Sequence, residues 1–363
     1  MEEIITVIGA GNGGMAISAY LASCGVKVNI CDMFPQYLEG IKKDKEITLI
    51  KDGTTTVAKL NMVTEDVKLA LTGAKLVMVI TPSFTHKIIA KACYKYLEDG
   101  QIIILNPGRT GGAIEFLATI RSLGCHKDVV VGESSTLVYS CRKHDAKTVE
   151  VYGTKEELLL GVLPAERTAE AAGVLNKYYP QFKPVGSCIE TSLSNIGALF
   201  HPTPMLLNIG RIQSDKRGYR WYIDGITPGV AKLVKEIDKE RLAIAAVFGV
   251  KIFSAEEWLV DSYQTHGADL YEMIQNNDAY KEIQAPPTIE ARYVLEDVPM
   301  SLVPLSELAK AVGVATPNID AVIQLTSTIY GRDFRAEGRT LKTMGLENMT
   351  KEQIEKYFMT GKN

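Results

Sequence analysis

Ile4-Ile5-Thr6-Val7-Ile8-Gly9-Ala10-Gly11-Asn12-Gly13-Gly14-Met15 is the stretch of this chain that decides its fold. It begins as a β-branched run, the composition of a strand, and breaks into glycines. From Met15 to Cys24 apolar residues recur at helical spacing, Gly25 ends that helix, and Val26 to Cys31 supplies a second strand. Strand, glycine turn, helix and strand in this order make a βαβ unit, and the glycines fit the G-x-G-x-x-G pattern of dinucleotide binding. Each glycine has its own physical task. Gly9 permits the tight turn, Gly11 lets a pyrophosphate approach the backbone, and Gly14 lets helix and strand pack closely. Asn12 and Gly13 lie at the helix N-terminus, where unpaired N–H groups favour an anion. The plainer alternative is an ordinary βα turn with surplus glycine, and the flanking strand and helix weigh against it.

Asp32 stands 18 positions after Gly14, at the end of the second strand. A carboxylate there accepts hydrogen bonds from the adenosine ribose and repels a 2′-phosphate. Met33, Phe34 and Pro35 follow it with no neighbouring arginine, so NAD(H) is favoured over NADP(H). Lys42 and Lys43 read as a solvated helix face.

Further strands are expected at 47–50, 76–80, 102–105 and 129–131, with helices at 87–96 and 113–123, which implies an α/β domain built on a parallel sheet. Ligands bind beyond the carboxyl ends of such strands. Thr81 and Pro82, after one strand, and Asn106, after another, are therefore candidate cofactor contacts. Pro and Gly as mere strand terminators would explain each loop equally well.

At 363 residues, with 46% hydrophobic and 23% charged, the chain is long enough for two well-packed domains. Its net charge of −3 argues against a general nucleic-acid binder. The six cysteines show no CxxC pair or metal-ligand spacing, so they read as reduced, mostly core thiols, and no metal is expected. There is no basic signal-like start and no membrane-length apolar run, so a cytoplasmic location is the default expectation.

Beyond about residue 186 helical periodicity replaces β-branched runs. Pro184-Val185-Gly186 marks the expected boundary, giving domains 1–186 and 187–363. Thr227-Pro228 reads as a helix start, followed by an apolar stripe of Val230, Leu233, Val234 and Ile237. Further helices are expected near 255–263, 269–275, 305–312 and 319–330. Among five histidines, His201 is set where an apparent helical segment meets Pro202 and Pro204, so its imidazole could project from a helix end into a cleft and exchange a proton. A structural histidine is the competing reading. Asp297 is a possible partner at unknown distance. Arg292 could hold a substrate carboxylate through paired hydrogen bonds, with an ordinary ion pair as the equal default.

The ordered series of segments resembles the opine dehydrogenases of the octopine/nopaline dehydrogenase family, in its bacterial branch, over nearly the whole chain. The series runs through Gly11-Asn12-Gly13-Gly14, Leu105-Asn106-Pro107-Gly108, Thr110-Gly111-Gly112, Gly132-Glu133-Ser134-Ser135 and Thr191-Ser192-Leu193 with Asn195. It continues in His201-Pro202, Gly225-Ile226-Thr227-Pro228, Arg292-Tyr293, Glu296-Asp297-Val298, the 302–308 run, Asp333-Phe334-Arg335 and the 337–341 run. The resemblance implies an N-terminal Rossmann domain, an all-helical C-terminal domain, and NADH-dependent reductive condensation of a 2-oxo acid, typically pyruvate, with the amino group of an L-amino acid. It also implies His201 and Asp297 as the catalytic pair, Arg292, Ser134 and Ser135 as substrate contacts, and a homodimer. At Arg109 and Ser134 the chain departs from bacterial members, which carry Ala and Thr. Arg109 is thereby a further candidate carboxylate contact. A 2-oxo or 2-hydroxy acid dehydrogenase and a non-catalytic NAD sensor are the alternatives of other classes.

Overall fold

The computed structural model describes residues 3–215 and 217–362. It divides into two compact units, one running through Ser192 and taking back Thr343–Gly345 and the chain from Gln353 onward, the other comprising Leu193–Lys342 and Leu346–Glu352. The division falls at Ser192/Leu193 rather than at 186/187, and the chain end belongs to the first unit, not the second. The physical reason is that Thr191 and Ser192 are hydrogen-bonded into the first unit at Glu133.

In the first unit β1 (Ile4–Ile8), β2 (Lys27–Cys31), β3 (Glu46–Lys51), β4 (Thr54–Lys59), β5 (Met62–Thr64) and β6 (Leu76–Val79) are followed by β7 (Ile102–Leu105), β8 (Val130–Ser134) and β9 (Tyr139–Lys143). Then come β10 (Thr148–Thr154), β11 (Leu158–Leu163) and β12 (Phe182–Pro184). The main sheet has eight strands in the order β12-β11-β8-β7-β6-β1-β2-β5. It is parallel from β5 to β8, while β11 joins β8 antiparallel. The strand order reverses direction beside β1, between β2 and β6, where an open α/β sheet leaves its ligand crevice. The expected strand at 47–50 exists as β3, but it is not in this sheet. It belongs to a separate four-stranded sheet, β4-β3-β10-β9. Every residue of β6 and β7 is buried, as in a strand covered on both faces, whereas β3 alternates and keeps one face half exposed.

The small sheet lies against the helix Asn12–Ser23. Sandwiched between two sheets, that helix buries Met15, Ala16, Ile17, Ala19 and Leu21 completely, which explains why it is apolar nearly all round. Tyr20 reaches the small sheet edge-on at Tyr139, with ring centroids 6.2 Å apart.

The second unit is helical and centres on Pro228–Val247, against which Gly197–Phe200, Pro202–Leu207, Leu270–Gln275, Val303–Ala311 and Pro317–Tyr330 pack. Thr227 is its N-cap by position, though its hydroxyl makes no capping bond. Two carboxylates of the central helix organise the neighbours by neutralising helix N-termini. Asp238 accepts from Ala255 N at 2.6 Å, and Glu240 accepts from Asn318 N and Ile319 N at 2.8 and 2.9 Å. Buried Arg241 balances Asp238 and ties Leu193 O and Phe253 O to the same helix. Among the described residues no helix is long and apolar enough to cross a membrane.

Candidate active site

The glycine turn of the first unit has the shape that a bound pyrophosphate needs. Gly9 adopts φ +109°, and a Cβ there would lie 2.4 Å from Ile80 O. A Cβ at Gly14 would lie 1.8 Å from Gly9 O, so only glycine fits either position. Gly11 is the opposite case: nothing lies within 4 Å of its added Cβ, and its face of the turn is open. Gly11 caps the helix Asn12–Ser23 without a side-chain bond, leaving the first-turn N–H groups to an anion. Asp32 Oδ2 accepts from Ala10 N at 2.8 Å and Oδ1 from Phe34 N at 3.0 Å, so the carboxylate braces the turn with lone pairs to spare for ribose hydroxyls. These residues fit a dinucleotide. The neighbouring Cys31 thiol is pushed up to about 12, by burial first and by Asp32 second, and is inert.

Thr81 packs its methyl group on Gly9, and its hydroxyl accepts from Thr85 at 2.8 Å, so it shapes the wall of the turn. Pro82 O accepts from the same Thr85 hydroxyl. Asn106 is buried, with its amide donating to Ile104 O at 2.8 Å. Ser134, 1% exposed, donates to Thr136 O at 2.8 Å and has no open face for a substrate. Ser135 is half-buried and its oxygen accepts from Leu159 N. Both serines hold strand ends together. Arg109 is half-buried with φ +60°, a left-handed backbone that an L side chain adopts at a cost of about 1 kcal/mol.

Glu133 carries a role that reasoning from sequence did not assign. Fully buried, it accepts from Ala113 N at 2.8 Å, Thr191 Oγ1 at 2.9 Å and Ser192 Oγ at 2.6 Å. Its charge faces the N-terminus of the helix Gly112–Ser122. A Cβ at Gly108 would sit 2.3 Å from Glu133 Oε2, so glycine is required where the turn after β7 crosses the carboxylate. The signal in the sequence was a charged residue at the end of the apolar run Val129–Gly132.

In the second unit His201 joins two short helices, Gly197–Phe200 and Pro202–Leu207. Pro202 occupies the first position of the second helix, so proline starts a helix here instead of ending one. His201 Nδ1 lies 2.8 Å from Asp297 Oδ2, with the imidazole 20% exposed and the carboxylate 1% exposed. Ser301 Oγ donates to Asp297 Oδ1 at 3.3 Å, and Asn195 Nδ2 donates to Ser301 at 2.8 Å. An Nδ1–H bonded to this carboxylate fixes the tautomer and gives Nε2 the free lone pair of the ring. The imidazole stacks on Tyr293 at 4.3 Å and 11°, and Tyr293 rests on buried Trp221.

Arg292 donates through Nε to Glu296 Oε2 at 2.7 Å, one helical turn away, and Nη2 reaches the same oxygen at 2.5 Å. The pair aims the guanidinium while leaving the arginine side chain 61% exposed, with N–H donors in hand. Glu296 was readable as an i, i+4 partner. Phe200 meets Tyr222 and Trp258, and Trp258 meets Tyr263 edge-on, so the four rings form one cluster beginning at the residue before His201. Burial pushes the Tyr222 phenol well up, and Tyr293, Tyr263 and Asp297 add to the shift. It stays a neutral hydroxyl.

Residues 184–330 match the model of the NAD/NADP octopine/nopaline dehydrogenase alpha-helical domain, and residues 4–120 match the N-terminal model of NAD-dependent glycerol-3-phosphate dehydrogenase. An opine dehydrogenase of Arthrobacter sp. (strain 1C) is 40% identical over 96% of this chain and 97% of its own length. An octopine dehydrogenase of Mizuhopecten yessoensis is 27% identical over 92% of each chain. A solved octopine dehydrogenase with NADH and L-arginine superposes with a TM-score of 0.85 at 24% identity, covering 99% of this chain and 98% of that one.

Proposed function

The chain belongs to the octopine/nopaline dehydrogenase family of NAD(P)-dependent oxidoreductases, and from that premise we propose that it condenses a 2-oxo acid with the amino group of an L-amino acid and reduces the product to an N-(carboxyalkyl)amino acid. The observation that carries this reading is the His201–Asp297 pair, held at 2.8 Å with its outer nitrogen available. His201 Nε2 removes a proton from the substrate ammonium, so the free amine attacks the oxo carbon and water leaves. NADH, when bound, would supply the hydride for the imine carbon, and the His201 imidazolium returns its proton to the nitrogen. Asp297 stabilises the imidazolium formed in the proton transfer. Arg292 receives a substrate carboxylate on the donors that Glu296 leaves unused. The resemblance to the family, and the departure from it at residue 109, add Arg109 as a further candidate carboxylate contact and Ser135 as a candidate hydroxyl contact.

Pyruvate is the proposed oxo acid, since it presents one carboxylate and a small methyl group. Asp32 supports NADH over NADPH through repulsion of a 2′-phosphate. Four of the six cysteines are buried and all are free thiols, which supports a reducing cytoplasmic setting. The homodimer rests on family membership alone.

NADH oxidation measured with pyruvate, with L-amino acids, and with both together tests the reading. Turnover that requires both, with a secondary amine dicarboxylate found by mass spectrometry, is the expected outcome. Equal turnover with pyruvate alone would make the protein a hydroxy-acid dehydrogenase, and tight NADH binding with no turnover would make it a sensor.

A further inference from the structure

No arginine or lysine stands directly beside Asp32 in the sequence, yet the fold brings a cation from a distant segment into its field. Lys143 ends β9, over a hundred residues later, and its backbone N–H donates to Asn12 Oδ1 at 3.1 Å. Asn12 is the first residue of the helix whose N-terminus faces the proposed cofactor phosphates. The Lys143 side chain is half-buried, and it makes no ion pair among the described residues. Burial pulls its ammonium below the ordinary lysine value, while the Asp145 and Asp32 carboxylates pull it back up. Neither carboxylate closes on it.

A half-buried ammonium without a counter-ion is an incomplete arrangement. Here the missing partner has a natural identity. Asp32 is placed for the ribose of a dinucleotide, and Asn12, which accepts from the Lys143 backbone, marks the phosphate end of the glycine turn, so a lysine anchored there with its ammonium in the field of Asp32 is positioned for the junction of ribose and phosphate. We infer that Lys143, delivered by the small sheet, is a dinucleotide-binding residue whose ammonium pairs with the phosphate on the adenosine half of the cofactor. This role rests on the dinucleotide reading of the glycine turn. It also gives the small sheet a function, because the sheet both covers the helix Asn12–Ser23 and closes the cofactor site with a charge the βαβ unit lacks.

The test is equilibrium binding of adenosine, ADP, NADH and NADPH to wild type, Lys143→Met and Lys143→Arg, at two salt concentrations. Lys143→Met keeps an unbranched aliphatic side chain without the charge, and Lys143→Arg restores the charge. Lys143→Met is expected to weaken ADP and NADH together by roughly five- to tenfold, to leave adenosine unchanged, and to reduce the salt dependence of the Kd, with Lys143→Arg recovering most of the affinity. Equal Kd values for NADH in wild type and Lys143→Met would overturn the assignment. So would a loss confined to NADPH, which would make Lys143 a 2′-phosphate contact, or an equal loss for adenosine, which would make the effect structural. Failure of wild type to bind any dinucleotide would instead reject the reading of the glycine turn itself.

Discussion

At the scale of single residues, the proposed chemistry rests on one contact that sequence spacing could not supply. His201 and Asp297 are separated by 96 positions and meet at 2.8 Å because Pro202 turns the chain at the imidazole and because Asn195 and Ser301 fix the carboxylate. Asp297→Asn keeps the shape of the site but allows an amide N–H to face Nδ1, which reverses the tautomer and removes the counter-charge of the imidazolium. The single-turnover rate is expected to fall by about a hundredfold or more, with the NADH Kd changed by less than about twofold, in both Asp297→Asn and His201→Ala. An unchanged single-turnover rate in His201→Ala would reject its acid–base role. His201, Asp297 and Arg292 were nameable from the sequence, but not their partners. Tyr293 under the imidazole, Ser301 behind Asp297 and Glu296 beside Arg292 become visible only once the helices pack. Ser134 teaches the converse: a hydroxyl beside a loop with ligand-site character proves to be turned inward, because strand ends have their own hydrogen bonds to satisfy.

At the scale of elements, the glycine turn separates folding from function within six residues. Gly14→Ala forces a methyl group against Gly9 O, where backbone cannot move aside, and is expected to cost more than about 2 kcal/mol, seen as a clearly lowered Tm. Gly11→Ala meets no protein atom, so Tm is expected to hold within a degree or two. The same methyl group occupies the approach to the phosphates and should weaken NADH binding by about tenfold. A Gly11→Ala protein that binds NADH normally would remove the turn from the cofactor site. The turn, the helix after it and β1, β2, β6, β7 and β8 were all legible, since buried parallel strands declare themselves as continuous apolar runs. The small sheet was not. Its strands are half exposed and come from two separate parts of the sequence, and β3 was assigned to the wrong sheet because periodicity reveals that a segment is a strand but not which strand it pairs with.

At the scale of the whole molecule, the chain does not simply finish its second unit and stop. The helix Lys351–Thr360 carries the return to the first unit from Gln353 onward and buries Ile354, Tyr357 and Phe358. Those three side chains contribute on the order of 5 kcal/mol of burial, comparable with the net stability of an ordinary domain. Deleting residues from Gln353 onward is therefore expected to yield an aggregated protein or one with a first unit that unfolds far below wild type by calorimetry. A deletion that melts within a few degrees of wild type would show the helix to be dispensable. The sequence by itself determined the βαβ unit with its glycine turn and the helical character of the second half, and it named the acid–base candidates, because each is encoded in local periodicity or in an ordered motif. Only the tertiary structure decided where the units divide, that the chain end returns, that a second sheet covers the helix of the glycine turn, and that Lys143 stands near Asp32. Those features depend on contacts between segments up to hundreds of residues apart, and local propensity carries no information about which distant surface a segment will cover.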